Sequence, residues 1–198
     1  LSNEGLATIA AGLPKGLRDL RIMVMSCELV TGSGVRALVS SLPIGLLTLE
    51  LDLADTAMDP GDIMVLARGL PEGLTRLELD LCGTGLDAQG LRALASHFPR
   101  SLAHLALALS GRGIGDVGAV ALAEHMPLTV SYLQFSFANS GFTLQTAVRL
   151  AEAVPETAKH VYLYFIYDGL GGVPDGVDAK AVLKAVLPGG LRTCSICC

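Results

Sequence analysis

Apolar residues along this chain obey two alternating spacings. One is an alternating frame in which every second residue is apolar, as in Leu77, Leu79, Leu81 after Leu74 and again in Leu105, Leu107, Leu109 after Leu102. A period of two predicts a strand with one buried face. The same frame holds Leu17, Leu20, Ile22, Val24, then Leu46, Leu49, Leu51, Leu53, then Val130, Leu133, Phe135, Phe137, then Ala158, Val161, Leu163, Phe165. Six strands are therefore in phase, and the segments between them carry helical spacing.

The phase is set by prolines, which recur at Pro14, Pro43, Pro71, Pro99, Pro127, Pro155 and Pro188, with differences of 29, 28, 28, 28, 28 and 33 residues. Five residues before each stands Ile9, Leu38, Leu66, Leu94, Leu122, Leu150 or Leu183. A proline lacks the N–H that would continue a helix, so each one stops a helix ahead of the next strand. Glycines such as Gly34, Gly90 and Gly118 recur near the helix starts. One strand and one helix cannot bury their apolar faces alone, whereas stacked copies share a continuous core. The sequence thus predicts an α/β solenoid with a parallel sheet on its concave side and helices on its convex side.

The expected organisation is a single domain over 1–198. It opens with a helical half-repeat at 1–15, continues through repeats at 16–44, 45–72, 73–100, 101–128, 129–156 and 157–189, and closes with a partial strand at 190–198. Neither half-repeat has the polar character of a solenoid cap, which predicts a piece of a longer protein or ends covered by other chains.

Leu79, Leu81, Thr84, Leu86, Gly90, Leu94, Ala95 and Phe98 together resemble the leucine-rich repeat of the ribonuclease-inhibitor-like kind, and the resemblance extends over nearly the whole chain. It implies a right-handed horseshoe or arc. It also implies an Asn or Cys after each strand that bonds the turn backbone; this sequence departs from that with Thr56, Thr84, Arg112, Ser140 and Asp168, most of which can still bond, while Arg112 predicts an altered turn. Such repeats serve as ribonuclease inhibitors, GTPase-activating proteins, immune receptors and cytoskeletal caps, so the fold alone selects no function.

Composition narrows the field. With 14 Lys plus Arg against 19 Asp plus Glu, the net charge of −5 disfavours nucleic acid and anionic membrane as partners. The longest uncharged run, Met126 to Val148, is interrupted by Pro127, Gln134, Asn139 and Gln145, so no membrane insertion is expected. Cys27, Cys82, Cys194, Cys197 and Cys198 form no disulfide framework and point to a reducing, intracellular compartment.

No catalytic residue, metal or cofactor is expected. The CxxC of Cys194 and Cys197 lacks a second ligand pair. In the repeat register Cys194 and Cys198 take the core-facing places of Leu77 and Leu81, which predicts small buried side chains. His97 and His125 are expected on helix surfaces, and the glycines around Arg112 read as a repeat turn and not as a phosphate loop.

The outward strand positions carry no packing duty and are freer to serve function. They place Glu50, Asp52, Asp55, Glu78 and Asp80 in one acidic patch, and Tyr132, Tyr162, Tyr164 and Tyr167 at the other end of the same face. Tyrosine buries a large rigid ring with a polar tip, which favours it at binding hot spots. The expectation is a non-enzymatic module that docks a protein partner with a basic patch. Two other readings stay open: a structural subunit of a large complex, held through its ends and convex helices, and a regulator of an enzyme such as a GTPase, implied by the resemblance alone.

Overall fold

The computed structural model describes residues 1–166 and 169–198. In chain order the elements are α1 (Asn3–Ala11), β1 (Asp19–Met23), α2 (Gly32–Ser40), β2 (Thr48–Asp52), α3 (Pro60–Arg68), β3 (Arg76–Asp80) and α4 (Ala88–Ser96). There follow β4 (His104–Ser110), α5 (Gly115–Glu124), β5 (Tyr132–Ala138), α6 (Leu144–Glu152), β6 (His160–Ile166), α7 (Ala179–Val186) and β7 (Thr193–Cys197). The strands form one open parallel sheet in sequence order. Successive partners such as Asp19, Thr48, Arg76, His104, Tyr132, His160 and Thr193 stand side by side, in the frame expected from the prolines.

The core lies between sheet and helices, and its rows run across the repeats. Leu49, Leu77, Leu105, Leu133 and Val161 make one fully buried row, and Leu38, Leu66, Leu94, Leu122, Leu150 and Leu183 face it from the helices. Beneath the fifth and sixth strands the leucines give way to aromatics: Phe137 packs on Phe142 and Phe165 with ring centres 4.6 and 5.6 Å apart. Two register positions escape burial. Ile9, on the helix row, is 44% exposed because α1 packs on one side only, against α2, with no strand before it. Cys198 corrects the sequence expectation: it is exposed beyond the last residue of β7, a strand paired only with β6, whereas Cys194 packs against the core as expected.

Short polar groups fix the boundaries. Ser2, Thr31, Asp59, Asp87, Thr143 and Asp178 each cap a helix by accepting an N–H of its first turn. The prolines do more than stop helices. Their carbonyls accept the N–H three residues on, from Leu17, Leu46, Leu74, Leu102, Val130 and Ala158, which turns the chain into the next strand. Just before those strands Ser101, Thr129 and Thr157 each donate a hydroxyl to a carbonyl of the previous repeat, at 2.7 to 2.9 Å for Leu74, Leu102 and Val130. The helix glycines permit close approach: a Cβ at Gly118 would stand 2.8 Å from Ile114 and 3.2 Å from Leu91.

The turns after the strands follow the substitutions read from sequence. Thr56 and Thr84 donate to Leu53 and Leu81 at 2.6 and 2.7 Å, and Ser140 donates to Ala138 at 3.3 Å. At Arg112 the turn is rebuilt: Gly111 takes φ +126°, Ile114 N–H donates to the Gly111 carbonyl, and α5 begins with no side-chain cap. Asp168 and Tyr167 lie outside the described residues.

Candidate functional site

The outward residues of the sheet make three parallel rows. The first is Asp19, Thr48, Arg76, His104, Tyr132, His160, Thr193; the second is Arg21, Glu50, Glu78, Ala106, Gln134, Tyr162, Ser195; the third is Met23, Asp52, Asp80, Ala108, Ser136, Tyr164, Cys197. Across β1 to β5 the face is hollowed, with a volume of about 350 Å³, acids on one flank and Ala106 and Ala108 on its floor.

The acids differ in their surroundings. Glu50 is paired by both Arg21 and Arg76, the latter at 3.4 Å. Glu78 meets Arg76 at 2.5 Å and His104 at 2.9 Å. These two carboxylates are neutralised from within, which narrows the acidic end expected from sequence. Asp52 and Asp80 differ. Each turns one oxygen back to the strand, accepting Ala54 N–H at 3.1 Å and Cys82 N–H at 2.9 Å, and lines the hollow with no cationic partner among the described residues. They are adjacent across β2 and β3, so their charges add. Asp55 stands apart: it follows β2 in the left-handed conformation, φ 54°, on an exposed turn at the rim of the sheet.

The aromatic end is a connected stack. His104 lies flat on Tyr132, with centres 4.1 Å apart and planes at 4°; Tyr132 meets Tyr162 at 5.4 Å, and Tyr162 meets Tyr164 at 6.5 Å. Hydroxyl groups fix the rings. Tyr132 donates to Gln134 at 2.8 Å, and Tyr162 shares Thr193 with His160, at 3.2 and 2.8 Å. All three tyrosines are half-buried, with a face or edge left to solvent.

His104 joins the two ends. Its Nδ1 is 3.3 Å from Arg76, while Nε2 is buried near Glu78 but off the direction of a hydrogen bond. Burial and the Arg76 cation push its pKa below the ordinary 6.5, against the pull of Glu78. Burial and the nearby tyrosines and Glu78 hold Tyr132 above 10, so its hydroxyl stays a donor at neutral pH. Burial, reinforced by Asp80, pushes the neighbouring Cys82 thiol up to about 12, which leaves it protonated and weakly nucleophilic.

Sequence reading placed the tyrosines and acids on one face but missed the pairing within it. The signal was available: the repeat period sets Arg21 beside Glu50 and Glu50 beside Glu78. His97 and His125 are exposed, and each spends Nδ1 on the carbonyl four residues earlier, of Ala93 and Ala121, closing α4 and α5. Among the described residues no group of three or more His, Cys, Asp or Glu is arranged to hold a metal ion, and no helix is long and apolar enough to cross a membrane.

No protein-family model and no curated protein matches this sequence. Among solved structures it is similar to the leucine-rich repeat-containing protein LegL7 of Legionella pneumophila, at 13% identity and a TM-score of 0.58. That likeness covers 100% of this chain and 62% of LegL7, so the chain spans less than two thirds of that protein. A chain of the yeast Rad7 and Elc1 complex matches at 14% identity over 81% of this chain and 53% of its own, with a TM-score of 0.38, too loose to build on. The fold is that of a leucine-rich-repeat solenoid.

Proposed function

We propose that this solenoid is a protein-binding module that docks an extended partner segment carrying basic side chains across the hollowed sheet face. One observation carries the reading: the third outward row runs from two unneutralised carboxylates, Asp52 and Asp80, over the small side chains Ala108 and Ser136 to Tyr164, whose ring lies beside that of Tyr162. Three strand spacings separate Asp80 from Tyr164, roughly 14 Å, which an extended segment of about four or five residues spans. A Lys or Arg would meet the acids while its neighbours pack on Tyr162 and Tyr164. Arginine suits both ends, since its planar cation pairs with carboxylates and stacks on rings. Tyr132 is already held by Gln134 and Tyr162 by Thr193, and Tyr164 lies against the ring of Tyr162, so the aromatic end loses little side-chain entropy on binding. Glu50 and Glu78, being paired internally, shape the wall and contribute little to attraction.

A displayed random-peptide library selected on the protein tests this. Enriched sequences should carry Arg or Lys near an aromatic or aliphatic residue. Y162A/Y164A should weaken the best peptide by more than about 30-fold, as expected of anchors worth 2 kcal/mol or more. D52N/D80N should weaken it as well and flatten its salt dependence. Enrichment of peptides whose binding ignores all four residues would overturn the proposal.

A further inference from the structure

The three arginine–carboxylate ion pairs found among the described residues lie on the sheet face and use Arg21 or Arg76 as the cation. The convex side is different. Arg68 ends α3, Arg92 lies on the outer face of α4, and Arg100 stands in the turn after it; all are exposed, and none is ion-paired among the described residues. Two surface hollows of about 550 and 570 Å³ meet here and share Arg68, Ser96 and His97. The first has an apolar wall of Met64, Ala93 and Val117, with Arg68 and Arg92 beside it. The second has Phe98 and Pro99 beside Arg68 and Arg100, opposed by one carboxylate, Glu72. Val117 is 59% exposed, an uncovered apolar group beside unpaired cations.

We infer that this α3–α4–α5 surface is a second docking site, for an acidic amphipathic segment of another protein whose carboxylates meet Arg68, Arg92 and Arg100 and whose apolar side chains cover Met64, Ala93 and Val117. The charge argument selects the occupant. In a chain of net charge −5, three neighbouring arginines without internal partners repel one another, and a carboxylate-bearing segment relieves that repulsion with bidentate hydrogen bonds. The apolar wall requires the same segment to carry aliphatic or aromatic groups, which a phosphate chain lacks. Nucleic acid also fits poorly because Glu72 interrupts the cationic track and Phe98 is buried, leaving no ring on which bases could stack. This site is independent of the sheet-face proposal, shares no residue with it, and would let one short solenoid bridge a basic segment on one side and an acidic one on the other.

Fluorescence anisotropy tests it with a panel of labelled 20-residue peptides, helical and extended, that combine Asp or Glu with Leu or Phe. At least one should bind saturably and more weakly as salt rises. R68E/R92E should weaken that binding by more than 10-fold, and the milder R68Q/R92Q, with an unchanged thermal melt, should weaken it in the same direction. R18E, an exposed reversal in the turn before β1, three repeats away from Arg100, and D52N/D80N should leave it unaltered, which keeps the result separable from the sheet-face test. The inference is overturned if no acidic peptide binds, or if binding ignores Arg68 and Arg92. It is also overturned if these arginines instead serve an oligothymidylate, phosphatidylserine vesicles, or self-association of the chain seen by sedimentation.

Discussion

His104 shows how one residue reports on the whole sheet face. It is stacked on Tyr132, flanked by Arg76 and approached by Glu78, with Glu50 further off, and burial is the largest influence on its proton, followed by Arg76. Both lower its pKa from 6.5. The unfolded chain therefore takes up this proton first as pH falls, so the contribution of His104 to stability is present above pH 6.5 and is lost as pH drops through the folded value. Proton NMR of the imidazole should give a midpoint below 6.5, and R76Q should raise it by removing the cation. A wild-type midpoint at or above 6.5 would contradict the buried stack. At this scale the sequence was partly legible. The repeat register put Glu50, Glu78 and the tyrosines on one face, because side-chain direction in a strand is fixed by parity. It did not show that Glu50 and Glu78 are neutralised, since long flexible arginines choose among several neighbours and only distances reveal which carboxylate each one takes.

Between residue and repeat, the helices are held by lateral bonds that the periodic pattern did not expose. Asn3 and Asp116 occupy the same register position, four repeats apart, and both reach across to the N-cap threonine of the next helix. Asn3 exchanges hydrogen bonds with Thr31 at 2.9 Å in both directions, and Asp116 accepts from Thr143 N–H at 2.9 Å and from its hydroxyl at 3.1 Å. The other members of that position, Gly32, Pro60, Ala88 and Leu144, have no comparable side-chain bond, so no recurring motif marked it. The Asp116 bond matters more because α5 has no side-chain cap of its own. D116A should lower stability by about 1–2 kcal/mol, the usual loss for an N-cap interaction or a hydrogen bond to a charged group. Urea denaturation of D116A, T143A and the double variant should show coupling of about 0.5 kcal/mol or more, whereas strictly additive losses would mean the two side chains act separately. The hydroxyls of Ser101, Thr129 and Thr157, by contrast, recur every 28 residues and were readable.

Across the whole molecule, packing is uneven, and the weak end underlies the aromatic part of the binding face. A solenoid's stability is approximately a sum of repeat and neighbour-interface terms, so local burial sets local opening. Strands β3 to β5 are paired on both sides and backed by fully buried leucines and phenylalanines. Among the described residues, β7 pairs only with β6, α7 buries only Leu183, and β7 buries only Ile196. The spacing from His160 to Thr193 is 33 residues in place of 28, and the connecting segment includes Gly169, Gly172 and Gly176 at positive φ, conformations that glycine adopts without strain. Native-state hydrogen exchange should therefore find α7 and β7 opening at lower free energy than β3 to β5, in a sub-global unit. Equal protection of β7 and β4 would contradict the packing argument. The consequence reaches the tyrosines, because Thr193 of β7 braces both His160 and Tyr162. Opening of β7 releases Tyr162, so a peptide seated on Tyr162 and Tyr164 should slow exchange in β7 although it need not touch that strand.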